Sequence, residues 1–223
     1  MHKRLGNNQG FTLIEIMVAL ALVAFLLGIA TTGSFSSRKS LDEALNSIER
    51  SVRFSADESA LRNTIVRVHF EFGDDEDKYS VQYGPTGDFV IRKSKNLSDL
   101  SGSDEEKELK RQKKQNSEFT RVEEFSESAE ALPYGVRIVG VGTGLIEAFT
   151  NENTASTYIY PSGEKDSAII IVATDEEIAT LVIDPFTMDI KRTYHKLEDS
   201  SEEMEEVWQS KGLELYQEWL KKK

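Results

Sequence analysis

Residues 11–30 read FTLIEIMVALALVAFLLGIA, and seventeen of these twenty are apolar. No charge stands between Ile16 and Ser37. Twenty helical residues rise about 30 Å, the thickness of a bilayer's hydrocarbon core. Lys3 and Arg4 precede the run, and the positive-inside rule keeps that end in the cytoplasm. The remainder of the chain then lies on the far side of the membrane. A cleaved secretory signal would have a shorter apolar stretch followed by a small-x-small site. Here a polar Gly-containing stretch, Gly6 to Gly10, comes before the run. The mean hydropathy of −0.43 hides this segment, because nearly all other residues are polar-rich.

One residue in the run is out of place. Glu15 is a carboxylate near the start of a bilayer-length helix, a placement costing about 2–3 kcal/mol on lenient insertion scales. Such a group calls for a partner. The stretch Gly10-Phe11-Thr12-Leu13-Ile14-Glu15 closely resembles the type III signal of type IV pilins and type II secretion pseudopilins. The resemblance implies cleavage by prepilin peptidase between Gly10 and Phe11, then N-methylation of Phe11. It also implies that Glu15 meets the N-terminal amine of a neighbouring subunit during assembly. Two charges that are each costly in lipid then neutralise one another.

Beyond the run the helical pattern continues. Leu41, Leu45, Ile48, Val52 and Ser55 recur at spacings of three or four, with Ala44 and Ala56 beside them. The amphipathic pattern ends at Asn63 and Thr64. Short alternating segments follow: Val66 to Phe72, Tyr79 to Tyr83, Asp88 to Ile91, Val136 to Val141, Ser156 to Tyr160, Ala168 to Thr174, Ile178 to Ile183 and Met188 to Lys191. Polar turns separate them, which predicts antiparallel sheet and an α+β fold. The expected fold is pilin-like, one long helix packed on antiparallel sheet. The expected organisation is a cleaved leader at 1–10, a transmembrane and filament-core half-helix at 11–36 and an amphipathic half-helix at 37–62. A β-rich globular domain at 63–192 and a C-terminal amphipathic helical extension at 193–223 follow.

Within the pilin superfamily the later sequence is most similar to the H-type minor pseudopilin, or to the FimT-like minor pilin. The stretches carrying this are Leu45 to Ser55 with Ala60 to Asn63, Tyr158 to Gly163, and Leu181 to Ile190. Two features depart from that pattern. Residues 93–130 form a charged insertion whose composition predicts a mobile loop with a transient helix. Ser200 to Glu203 form a capping-box pattern ahead of an apolar stripe through Met204, Val207, Trp208, Leu215, Tyr216 and Trp219. Gly212 interrupts that stripe, which reads as a helix docking on its own domain.

Catalytic and metal motifs are missing. Cys is absent, and His2, His69 and His195 are scattered, so no zinc pattern forms. Gly140 to Gly144 has Leu145 where a dinucleotide fingerprint needs Gly, and no Walker Lys follows; it reads as a glycine-rich loop after a strand. Asp74-Asp75-Glu76-Asp77 offers the carboxylates a calcium ion takes but not the EF-hand spacing, and reads as a solvated turn. His69 alternates outward in its strand and reads as a surface residue. No catalytic residue, metal ligand or cofactor is expected. The net charge of −12 opposes nucleic-acid binding. Loss of Lys3 and Arg4 with the leader makes the processed chain more acidic still.

The resemblance implies an assembly subunit in the bacterial inner membrane, single-pass, its N-terminus cytoplasmic and its globular domain periplasmic. Implied partners are prepilin peptidase, major and minor pseudopilins, the inner-membrane assembly platform and membrane lipid. The alternatives are a FimT-like minor pilin acting in pilus assembly or DNA uptake, and a membrane-anchored periplasmic enzyme without a motif behind it.

Overall fold

The computed structural model describes residues 12–85, 100–125, 130–144, 147–197 and 203–223, with side chains described in all of these except 25–36. The expected strand Asp88 to Ile91 and the leader lie outside the described residues. The chain divides into two compact units, 1–36 and 37–223. Helix α1 (Leu13–Arg62) begins in the first and ends in the second.

In the second unit the predicted stripe is buried. Leu41, Ala44, Leu45, Ile48 and Val52 are at most 1% exposed, and each large side chain contributes about 2 kcal/mol of gross burial. Ser51, Ser55 and Ser59 extend the stripe and are fully buried. Their hydroxyls donate to the carbonyls of Ile48, Ser51 and Thr64 at 2.6–2.7 Å, so no polar group is stranded. Asn63, at φ 50°, ends the helix in the left-handed conformation asparagine tolerates.

Two antiparallel sheets receive α1, and the fold is α+β as expected. The first sheet contains β1 (Val66–Glu71), β2 (Lys78–Tyr83), β3 (Thr120–Arg121), β4 (Glu130–Ala131) and β7 (Thr154–Ile159). Its order is β3-β2-β1-β7, with β4 also on β2. The second contains β5 (Arg137–Thr143), β6 (Ala148–Thr150), β8 (Ala168–Ala173), β9 (Glu177–Ile183) and β10 (Ile190–Lys196), in the order β10-β9-β8-β5-β6. The main core joins α1 to Val68 and Phe70 of the first sheet and to Ile170, Val172, Leu181 and Ile183 of the second. Polar contacts fix α1 on the β9–β10 edge. Arg38 pairs with Glu177 at 2.6 Å, the Tyr194 hydroxyl donates to Asp42 at 2.6 Å, and Arg192 pairs with Glu49. Burial pushes the Glu49 carboxyl up, but bonds to Arg192 and Arg53 outweigh it and hold the group below the usual range.

Four expectations need correction. Within the charged insertion, read as a mobile loop with a transient helix, residues 103–117 form a four-turn helix α2 (Ser103–Ser117). Its first turn holds Asp104, Glu105 and Glu106 and its last turn Lys114, which complements the helix dipole. Lys110–Glu106 at 2.8 Å adds an i,i+4 pair. Phe119 and Val122, both buried, tie the following segment to the first sheet.

Gly140 to Thr143 lie within β5, not in a loop, with a bulge between Ile138 and Gly140. β10 runs to Lys196, so the C-terminal extension begins beyond it rather than at 193. The capping-box reading also shifts: helix α3 (Met204–Lys221) has Glu203 as its N-cap residue, and Ser200 lies outside the described residues.

Helix α3 does dock on its own domain. Leu215 and Tyr216 pack with Val139, Ile169 and Ile171 on the face of the second sheet. The Trp208 Nε1–H donates to the Thr174 carbonyl at 3.1 Å. Gly212 is a contact point rather than an interruption, since a Cβ there would meet Val139 Cγ1 at 2.5 Å.

Candidate functional site

The start of α1 is set by Thr12. The Glu15 amide donates to the Thr12 carbonyl at 3.1 Å and to Thr12 Oγ1 at 3.3 Å, closing the first turn with a side-chain cap. Glu15 is thereby held in the first turn, where a carboxylate faces the positive end of the helix dipole. Around it the apolar side chains stand open. Leu13 is 80% exposed and Ile14 70%, and every side chain from Thr12 to Ala24 is exposed. Glu15 is the single charged residue in that stretch. An apolar helical stretch with no partner among the described residues suits an apolar medium, a lipid or other helices.

Gly10 and Phe11, the expected cleavage and methylation positions, lie outside the described residues. Among the described residues no helix is long and apolar enough to cross a membrane. The described side chains of the apolar run stop at Ala24, so its last six residues, Phe25 to Ala30, lie outside them.

The other sequence candidates fall elsewhere and into structural roles. His69 is buried, not on the surface. Ser156 Oγ lies 2.9 Å from its Nδ1, and burial, aided by Arg67 and Arg121, pushes its pKa down to about 3. The imidazole is therefore neutral at physiological pH. The acidic turn is not wholly solvated either. Asp77 is 1% exposed and accepts four bonds, from Arg137 Nε and Nη2 and from the amides of Gly73 and Ile138. Its charge is thus taken up inside the protein. Among the described residues no cluster of three or more His, Asp or Glu is arranged to hold a metal ion.

Several interior polar groups escaped the sequence reading. Arg67 is 1% exposed and donates to Gln82 Oε1 and Asn116 Oδ1. Asp166 is buried beside Tyr158 and Tyr160. Lys165 is 5% exposed, with Gly163 O at 3.4 Å as acceptor. Each lies in a segment whose polarity reads as turn or outer strand face.

Comparison with known families meets the chain where the helix starts. Residues 5–31 match the prokaryotic N-terminal methylation motif, typical of type IV pilins and pseudopilins. The motif marks a type IV pilin-like substrate of prepilin peptidase and points to a structural rather than a catalytic protein. It is usual in proteins anchored in the inner membrane that assemble with other pilin-like subunits. No curated protein and no solved structure matches the chain.

Proposed function

We propose that the chain is a minor pseudopilin, a structural subunit of a type II secretion pseudopilus, of the H type. In this reading prepilin peptidase cuts between Gly10 and Phe11, and the new Phe11 amine is methylated. Residues 11–36 anchor the subunit in the inner membrane, N-terminus cytoplasmic, and place the head in the periplasm. There the helix packs with those of major and minor pseudopilins under the inner-membrane assembly platform.

One observation carries the proposal. A methylation motif opens directly into a helix whose described side chains from Thr12 to Ala24 are all exposed around a single carboxylate, Glu15. That carboxylate needs a cation in an apolar setting, and a neighbour's processed N-terminus supplies one at the matching depth. The head supports the same reading, being an α+β body built around residues 37–62 of the helix.

Two measurements test it. Mass spectrometry of protein extracted from membranes is expected to find an N-terminal peptide that begins with methylated Phe11. An intact Met1 start would remove the reading. In a strain carrying Glu15→Ala, recovery of the subunit in crosslinked pseudopilin complexes is expected to fall roughly tenfold, with the head still folded. Recovery equal to wild type would show that Glu15 has no assembly role. Deleting the gene is expected to block secretion and spare DNA uptake; the opposite pattern would favour a FimT-like pilin.

A further inference from the structure

The edges of the two sheets differ in how they are closed. On the first sheet β3 and β4 have two residues each. The free side of β7 is engaged, since the Tyr158 amide and carbonyl bond Asp166 and Ile159 bridges Lys165. On the second sheet β6 has three residues. At the opposite side of that sheet β10 runs for seven residues and pairs with β9 alone. Roughly half of its amides and carbonyls point away from β9, and among the described residues none of these meets a partner. An open edge of this length is a template for another strand.

Charge decides which strand. β10 reads Ile190-Lys191-Arg192-Thr193-Tyr194-His195-Lys196, with no acid, in a chain that has 39 acidic side chains against 27 Lys and Arg. Arg192 and Tyr194 turn to α1, where they bond Glu49 and Asp42. Alternation puts Lys191, Thr193 and His195 on the opposite face. Lys191 and Lys196 are exposed, and among the described residues neither is in an ion pair. Two copies of β10 laid side by side would set basic rows against each other. The charges that keep this edge from pairing with itself therefore favour an acidic strand.

The turn that leads into β10 adds an apolar contact. Asp184 Oδ1 accepts the amides of Phe186 and Thr187, both at 2.9 Å, which fixes the turn. Phe186 is 77% and Met188 41% exposed there. An aromatic ring already held in place loses little freedom when a partner covers it.

We infer that the outer edge of β10 takes an acidic extended segment of a partner protein as an added strand, with carboxylates beside Lys191 and His195 and an apolar residue over Phe186. A DNA strand fits the edge less well, because its backbone offers acceptors to the edge amides and no donor to the edge carbonyls. The inference is independent of the secretion reading.

The test uses the full chain in detergent micelles and three blocked peptides. The first alternates valine with glutamate, threonine and glutamate and has a leucine at each end. The second has lysine in place of each glutamate. The third is the first with four consecutive amides N-methylated, which removes ladder donors. Only the first is expected to bind saturably in calorimetry, and it is expected to slow amide exchange across 190–196. Lys191→Glu, at an exposed position, is expected to weaken the acidic peptide at least about tenfold and to give the lysine peptide measurable binding. Phe186→Ser is expected to weaken the acidic peptide roughly fivefold with Tm unchanged. Equal binding of the acidic and lysine peptides, binding that survives N-methylation, or affinity unchanged by the two substitutions would overturn the inference. So would displacement of the acidic peptide by oligodeoxythymidine, or a dimer of the chain held through 190–196.

Discussion

Asp166 is buried against the backbone of β7, its Oδ2 accepting the Tyr158 amide at 3.1 Å and its Oδ1 the Tyr160 hydroxyl at 3.4 Å. Burial is the dominant influence and pushes its pKa up to about 6, against the pull of these bonds and of Lys223. The folded state therefore keeps a proton that the unfolded chain, at about 3.8, has released. A raised carboxyl costs nothing below the unfolded value; the cost accrues as pH climbs from 3.8 through 6 and is constant above. Asp166→Asn keeps an acceptor for the Tyr158 amide and removes the charge. Denaturant unfolding is expected to show a gain on the order of 2 kcal/mol at about pH 8 and almost none at about pH 4. An equal gain at both would mean that shape, not ionisation, is responsible. The position was hard to read beforehand, because Glu164-Lys165-Asp166 has the composition of a turn. The same holds for His69 and Arg67. Alternation correctly put them opposite Val68 and Phe70, but the residues that cover them come from α2, some forty residues later in a charge-rich stretch. Period-two patterning tells which side chains share a face, not whether something lies over that face.

Of the two later helices, the sequence obscured the extent of α2, and for α3 it hid only the strand the helix rests on. In α2 the signal was charge order, acids first and bases last, and composition alone concealed it. In α3 the apolar stripe was plain, and its partner was hidden in the glycines of β5. Gly142 lies under the ring of Tyr216, and a Cβ there would meet Tyr216 Cδ2 at 2.3 Å and Ile169 Cγ2 at 2.8 Å. Gly140 is closed in the same way by the Phe149 ring, which stacks on Tyr216 at 5.1 Å. The run that looks like a phosphate loop is a strand kept bare so that aromatic rings can lie on it. Gly142→Ala is therefore expected to destabilise the protein by about 1–3 kcal/mol through overpacking. Both tryptophans of the chain, Trp208 and Trp219, are on α3, so its emission reports docking directly. A red-shifted native spectrum together with a lowered Tm is the expected pair. An unchanged spectrum and Tm would show that α3 does not rest on this strand.

Composition taken over all 223 residues describes an acidic, soluble chain, and that average merges two units of opposite chemistry. Every buried side chain in the described residues lies between Leu41 and Tyr216. From Thr12 to Ala24 every side chain is exposed. The second unit thus contains its own core, while the first has apolar side chains with nothing described around them. The N-terminal end of the second unit is tied down within itself. Ser37 Oγ lies 2.5 Å from Thr174 Oγ1, and Arg38 bonds Glu177 and stacks on Tyr194 at 3.5 Å. A helix cut at Ser37 would therefore be pinned to β9 and β10 rather than left to fray. Residues 37–223 expressed alone are expected to stay soluble without detergent and to unfold in one cooperative transition. Their Tm is expected within about 4 °C of the full chain's in micelles, because the missing residues take no part in the described core. A fragment that needs detergent, or that melts without cooperativity, would show that residues 1–36 belong to the stable fold of the head. In that event the exposed apolar surface of α1 would serve the head itself, and the case for an assembly stem would weaken accordingly.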